Sequence, residues 1–301
     1  MIAHIALANC PGPYLPGKSC ARFRHGRSAQ GPFGRNRRRG QKSVTGELSF
    51  GSWVSIADPL CAEVMARAGF DWLILDAQHG AVNESNLLGL LQAAELGGAP
   101  AYVRVKCNDP AEIMRALDLG AAGVIVPMVS NAEEAYRAAQ AVRYPPDGIR
   151  SFGRVRSYHG PAQQGARAPQ CFVMVETVEA LGNLDAIAST PGVDGMFVGP
   201  VDLAISMGFG PALILPEAVI AAMRDIVAAA QRHGIIPGVA TLPDSADVMV
   251  GIGMRFLTLG ADAGFLRRGA AAEVARAQAL KAEQNSALSG KHIARPTGRQ
   301  P

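Results

Sequence analysis

Four residues with groups suited to chemistry stand at the ends of apolar runs: His79, Arg104, Glu176 and Asp202. His79 closes Phe70-Asp-Trp-Leu-Ile-Leu-Asp-Ala-Gln-His79, with a further acid, Asp76, three residues before it. Arg104 ends Tyr102-Val-Arg104, Glu176 ends Phe172-Val-Met-Val-Glu176, and Asp202 ends Met196-Phe-Val-Gly-Pro-Val-Asp202. An imidazole titrates near neutral pH and can move a proton. A guanidinium is a fixed cation that can hold a developing oxyanion. Two carboxylates without a third protein ligand suit a hard octahedral cation, Mg²⁺ first and Mn²⁺ or Co²⁺ after it, which keeps positions for water and substrate oxygens. Zinc would call for His or Cys ligands. Plainer readings stand beside these: His79 as a structural imidazole, and either acid as a helix cap or an arginine partner. Asp76 orients His79, holds a metal-bound water, or caps the next helix.

Residues so far apart in sequence need a fold that gathers strand ends. From Phe50 onward, short apolar runs alternate with Ala- and Leu-rich amphipathic stretches. The runs predict strands at Phe50–Ser55, Trp72–Asp76, Ala101–Lys106, Gly123–Val129, Cys171–Glu176, Gly195–Val198, Ile235–Ala240 and Arg255–Leu259. Helices are expected after each. Asp58-Pro59, Asp109-Pro110 and Pro216-Glu217 place Pro where a first helical turn tolerates it, and Asn131-Ala-Glu-Glu134 has capping-box spacing. Gly69, Gly97-Gly98, Gly120 and Gly234 mark helix ends. Eight such pairs over residues 46–284 predict an α/β fold, a single-domain (β/α)8 TIM barrel, whose C-terminal mouth would bring the four residues together. A doubly wound open sheet is the runner-up, but it favours a Gly-rich phosphate turn after the first strand, and none stands there.

The chain has 301 residues and an uneven charge. Residues 1–46 hold nine Lys or Arg and no acid, which leaves 20 basic against 25 acidic residues in the remainder. Residues 1–45 mix Pro, Gly, Ser and Arg without apolar periodicity and are read as a disordered basic arm, or as an over-extended start of translation that Met1 or Ile2 at the mature N-terminus would disprove. Such an arm can bind nucleic acid, yet it has few aromatics to stack bases, so no nucleic-acid partner is expected. The insert from Tyr144 to Gln170 lies on the bottom side of a barrel, and its arginines meet an anion or solvate a loop. Residues 285–301 read as a flexible tail. Five scattered cysteines without a C-x-x-C pair argue against a zinc site or disulfide framework and make the reducing cytoplasm the default. No apolar run reaches the roughly 18 residues of a membrane span, and Met1–Cys10 lacks the positive start of a signal peptide.

An open metal position could chelate a 2-oxo acid through its carboxylate and keto oxygens and stabilise an enolate. At this point the residues carry a family likeness. Gly69 to His79, Val103-Arg-Val-Lys-Cys-Asn-Asp-Pro110, Val126-Pro-Met-Val129, Arg143-Tyr-Pro-Pro-Asp-Gly-Ile-Arg150, Val175-Glu-Thr177, Val193 to Leu203 and Leu259-Gly-Ala-Asp262 resemble the metal-dependent (class II) pyruvate aldolases of the hydroxy-oxo-heptanedioate aldolase and citrate lyase group. The likeness covers about Phe50 to Leu280. It implies His79 as the base, Arg104 as the group stabilising the transition state and touching substrate, and Glu176 with Asp202 as metal ligands. It also implies Asp118 as an acid that raises the base's proton affinity, and the Val201–Asp202 backbone as a pyruvate-contacting turn. Asp118 nevertheless falls near a helix C-terminus, away from the expected mouth.

By the same resemblance the protein would be a homohexamer with C-terminal helices packed on a neighbouring subunit. It would cleave a 4-hydroxy-2-oxo acid, from aromatic or sugar-acid catabolism, to pyruvate and an aldehyde. One departure bears on substrate: where those relatives place a substrate-touching glutamine, this chain has Met174. Rival readings are a Schiff-base aldolase through Lys106, which borohydride would trap, a CoA-thioester lyase related to the citrate lyase β-chain, and a non-catalytic barrel that binds through its basic arm. All rest on one distance, since Glu176 and Asp202 more than about 8 Å apart could not share an ion.

Overall fold

The computed structural model describes residues 46–291 apart from 154–155, 157–167, 213 and 242–243. The basic arm, Arg154 and the chain beyond residue 291 lie outside the described residues. Eight strands alternate with helices: β1 (Ser49–Val54), α1 (Pro59–Arg67), β2 (Trp72–Asp76), α2 (Glu84–Gly97), β3 (Ala101–Arg104), α3 (Pro110–Asp118), β4 (Gly123–Val126), α4 (Ala132–Val142), β5 (Gln170–Val175), α5 (Val178–Gly182), α6 (Leu184–Ala188), β6 (Gly195–Val198), α7 (Pro200–Ser206), α8 (Glu217–Arg232), β7 (Ile236–Ala240), α9 (Ala246–Gly251), β8 (Phe256–Ala261) and α10 (Asp262–Lys291). Every neighbouring pair is parallel and β8 returns to pair with β1, so the sheet is a closed (β/α)8 barrel without edges. No helix among the described residues is long and apolar enough to cross a membrane.

Local chemistry sets the boundaries. Asp58 and Asp109 accept backbone N–H groups of the turns they start, each followed by Pro at the first helical position, and Asn131 does the same for Glu134. β4 stops at Val126, not Val129, because Pro127 has no N–H to give the ladder and Met128 turns the chain to φ +56°. The run Met196–Asp202 is likewise not one strand. β6 ends at Val198, Gly199 caps, and Pro200 opens α7, so Asp202 sits in a first helical turn. α10 continues to Lys291, seven residues into the segment read as a tail; its Ala, Glu, Gln and Lys residues favour helix.

Alternation along the strands sorts residues into two cores. Val, Leu and Ala facing outward pack under the helices, while Trp72, Ile74, Tyr102, Ile125, Phe172, Met174, Phe197, Ile236 and Phe256 fill the barrel. The interior builds in layers. At the floor, Trp72 stacks on Phe256 with centroids 3.6 Å apart and Phe172 stacks on the same ring at 4.6 Å, with Tyr102 edge-on. Each of these aromatics is in register with a glycine on an adjoining strand: Trp72 with Gly51, Tyr102 with Gly123, Phe172 with Gly195 and Phe256 with Gly238. A Cβ on Gly51 would stand 2.0 Å from the Trp72 ring, so the rings fill volume that only glycine leaves. Two steps above Tyr102, and four above Trp72 and Phe172, the same inward rows reach Arg104, Asp76 and Glu176.

Candidate active site

Asp76 and Arg104 are registered neighbours at the ends of β2 and β3. Arg104 donates Nε to Asp76 Oδ1 at 2.8 Å and Nη2 to Oδ2 at 2.7 Å, and both residues are buried. The guanidinium also lies 4.4 Å over the Trp53 ring. Trp53 is itself held by Nε1 donating to Thr258 Oγ1 at 3.0 Å. A fork matched to a carboxylate and stacked on an indole has one orientation. Nη1 is left uncommitted among the described residues. Asp76 Oδ1 further accepts the backbone N–H groups of Gln78 and His79, each at 3.2 Å. Asp76 therefore organises the turn that carries His79 and does not cap α2, whose cap is Asn83. His79 stands exposed on that turn.

On the opposite wall, Glu176 follows β5 and is 4% exposed. It caps nothing, because Thr177 caps α5. Its Oε1 accepts the Met128 N–H at 2.7 Å, a donor aimed by that residue's left-handed backbone. Its other oxygen lies against Gly199. A Cβ on Gly199 would lie 2.6 Å from Glu176 Oε2, 3.2 Å from Met174 Cε and 3.5 Å from Asp202 Oδ2. The two carboxylate oxygens are therefore at most about 6.1 Å apart, and Asp202 is exposed and free to adjust. Burial pushes the Glu176 carboxyl above its ordinary range; the Met128 N–H pulls it down, the Asp202 charge raises it and Arg104 lowers it. A buried acid with raised proton affinity beside a second acid is a site that gains from a cation, and two oxygen donors fit a hard divalent ion with open positions. Among the described residues no cluster of three or more His, Cys, Asp or Glu could hold a metal.

Asp202 comes to this pair from the first turn of α7 with Val201 just before it, and Met174, 1% exposed, lines the pair. Asp118 is not brought there. It ends α3, where Arg150 donates to it at 2.8 Å, and helix ends of this kind lie at the bottom of the barrel. Of the insert's arginines, Arg150 pairs with Asp118 and Arg156 with Glu95. Lys106 lies two residues past β3, half exposed and 3.2 Å from Glu112, without the dry pocket that a Schiff-base lysine draws on.

Sequence reasoning missed Gly199, Trp53 and Met128. Trp53 was within reach of it, being two residues after the inward Gly51 on a strand, so the same alternation that finds Asp76 finds Trp53. Met128 stands in one of the runs that carry the family likeness, but its side chain gave no sign of its role, which is a backbone N–H in a turn.

Known proteins bear on this arrangement. The chain is 38% identical over 244 residues to the hydroxypyruvate/pyruvate aldolase of Rhizorhabdus wittichii, covering 78% of this chain and 96% of that one. It is 38% identical over 256 residues to the 4-hydroxy-2-oxo-heptane-1,7-dioate aldolase of Salmonella dublin, covering 81% and 94%. A solved HpcH/HpaI aldolase/citrate lyase family protein from Burkholderia cenocepacia superposes with a TM-score of 0.71 at 29% identity, covering 78% of this chain and 97% of that one. The match to the family runs over residues 49–268, from β1 through β8 into α10, and takes in both walls of the site. The chain accordingly belongs to the HpcH/HpaI aldolase/citrate lyase family and is a carbon–carbon lyase.

Proposed function

We propose that this enzyme reversibly cleaves a 4-hydroxy-2-oxo acid to pyruvate and an aldehyde, with a divalent metal ion, Mg²⁺ first, held by Glu176 and Asp202. The observation that carries the proposal is the carboxylate pair over Gly199, facing a guanidinium locked by Asp76 and Trp53. When bound, the ion supplies Lewis-acid polarisation of the 2-oxo group. The Val201–Asp202 backbone receives the substrate's carboxylate. His79 takes the proton of the C4 hydroxyl, directly or through one water. The C4–O bond then becomes a carbonyl, the C3–C4 pair moves to the pyruvate fragment, and the aldehyde leaves. Arg104, with its Nε edge occupied by Asp76, meets the negative charge that develops on the fragment's oxygen. The proton that His79 took, passed to C3 directly or through water, completes pyruvate and restores the free imidazole.

Met174 bears on the substrate. A thioether beside the pair offers no strong hydrogen bond to an oxo acid, so selection falls to loops around the mouth. We infer also a homo-oligomer, by family likeness a hexamer, in keeping with the exposure of Leu266, Val274 and Leu280 along α10. The deciding experiment is pyruvate release from a panel of 4-hydroxy-2-oxo acids, with and without EDTA and added Mg²⁺ or Mn²⁺. Release abolished by EDTA and restored by either ion is expected. Unaffected release, or trapping of a pyruvate adduct by borohydride, overturns the metal mechanism.

A further inference from the structure

β8 has so far entered through Phe256 in the floor and Thr258 beneath Trp53, and the residue that follows it is a buried carboxylate. Asp262 is 3% exposed. It accepts Ser55 N–H at 3.0 and 3.1 Å with its two oxygens, Ser55 Oγ at 2.7 Å, Ile56 N–H at 2.9 Å and Ala263 N–H at 2.7 Å, and the Cys61 thiol lies 3.6 Å away. Among the described residues its partners are all N–H, O–H and S–H dipoles. A charged acceptor makes each such bond roughly twice as strong as a neutral one, and a buried charge stays in place only when so satisfied. Asp262 therefore fixes the backbone of Ser55 and Ile56 as the chain leaves β1.

Ser55 passes that constraint on. Its carbonyl accepts the Ala81 N–H at 2.9 Å. Its Cα lies 3.1 Å from the point where a Cβ on Gly80 would stand, and the Asp76 carbonyl oxygen closes the other side of that point at 2.5 Å. Gly80 follows His79 directly. The turn that carries the imidazole is thus gripped twice: by Asp76 through the N–H groups of Gln78 and His79, and by Asp262 through Ser55.

We propose that Asp262 is a positioning residue for His79, acting through Ser55 and the Gly80–Ala81 backbone; this rests on the proton-transfer part given to His79 above. The competing account is that Asp262 only secures the seam between β8 and β1, which Ser52 Oγ, bonded to the Gly260 carbonyl at 3.0 Å, also helps to close. The two differ in what a substitution does to His79. Asp262→Asn keeps the shape and turns one acceptor into a donor aimed at N–H groups. Because a displacement of about 1 Å at a catalytic group costs up to roughly 100-fold, kcat is expected to fall roughly 10- to 100-fold, with KM for the oxo acid and Mn²⁺ affinity held within about twofold. Groups that act as a unit are non-additive, so in a His79→Ala background the same change should cost less than about twofold.

A second readout needs no turnover. Amide hydrogen exchange at Ala81 should quicken in Asp262→Asn while exchange at Met128, bonded to Glu176, stays as in the wild type. Equal loss of kcat in both backgrounds, unchanged exchange at Ala81, or equal quickening at Ala81 and Met128 overturns the proposal. A wild type that releases no pyruvate would defeat the aldolase reading and leave the exchange result standing, so the two fail separately. Where Asp262→Asn does not fold, Ser55→Ala, which removes only the hydroxyl donor, carries the same tests with an expected several-fold loss of kcat.

Discussion

A methyl group at position 199 would sit 2.6 Å from Glu176 Oε2, with Met174 Cε at 3.2 Å leaving no retreat. Gly199→Ala is therefore expected to push the Glu176 carboxylate off its line with Asp202. The loss of one well-placed ligand geometry should raise the Mg²⁺ concentration for half-activation by roughly tenfold or more, about 1.4 kcal/mol, while the unfolding temperature moves little. A metal-activation curve beside a thermal melt checks both, and unchanged activation would show that position 199 has no part in holding the ion. The sequence reading names Glu176 and Asp202 because an acid at the end of an apolar run stands out by type. It could not name Gly199, whose contribution is a missing side chain. Nor could it join Asp76 to Arg104, 28 residues apart; only strand register makes them neighbours.

At the scale of the element, the inward glycines turn four ordinary strands into receptacles for rings. Gly51→Ala brings a Cβ to within 2.0 Å of Trp72, which is stacked at 3.6 Å on Phe256 and cannot swing aside. Overpacking of this kind costs about 1–3 kcal/mol, to be read as a lower denaturant midpoint at unchanged slope. β5 makes a prediction about pH. Burial, and after it the Asp194 charge, push the Cys171 thiol from 9.0 up to about 12, against a smaller opposing pull from Arg143. Above pH 9 the unfolded thiol loses its proton while the folded one keeps it, so this contribution to stability is complete below pH 9 and lost as pH rises toward 12. Unfolding measured from pH 8 to 11 should decline less steeply in Cys171→Ala than in the wild type; parallel curves would refute the buried-thiol account. The order of the elements was readable because period-two runs alternate with amphipathic stretches. Strand ends were less so: the run from Met196 to Asp202 stays apolar past the point where Gly199 and Pro200 end the ladder.

For the whole molecule, the described part of α10 past Phe265 is exposed along nearly its full length, with Leu266 at 66%. An unpaired helix of this length gains most of its stability from packing, and a neighbouring copy is the proposed source. If the proposed oligomer forms through α10, ending the chain after Gly269 should give smaller species than the full chain by light scattering, and an unchanged mass would remove α10 from the proposed assembly. The eightfold repeat was evident in sequence because each unit resets the hydrophobic period. The full extent of α10 was not, because its last turns have no apolar stripe to distinguish a helix from a polar tail. The aromatic floor has a consequence for traffic. A tube stoppered at its lower end has a single doorway, so reactants and both fragments of a cleavage share one route. The deeper-seated fragment must wait for the shallower one to clear, and turnover should proceed in strict sequence, visible as unlike patterns of inhibition by the two products.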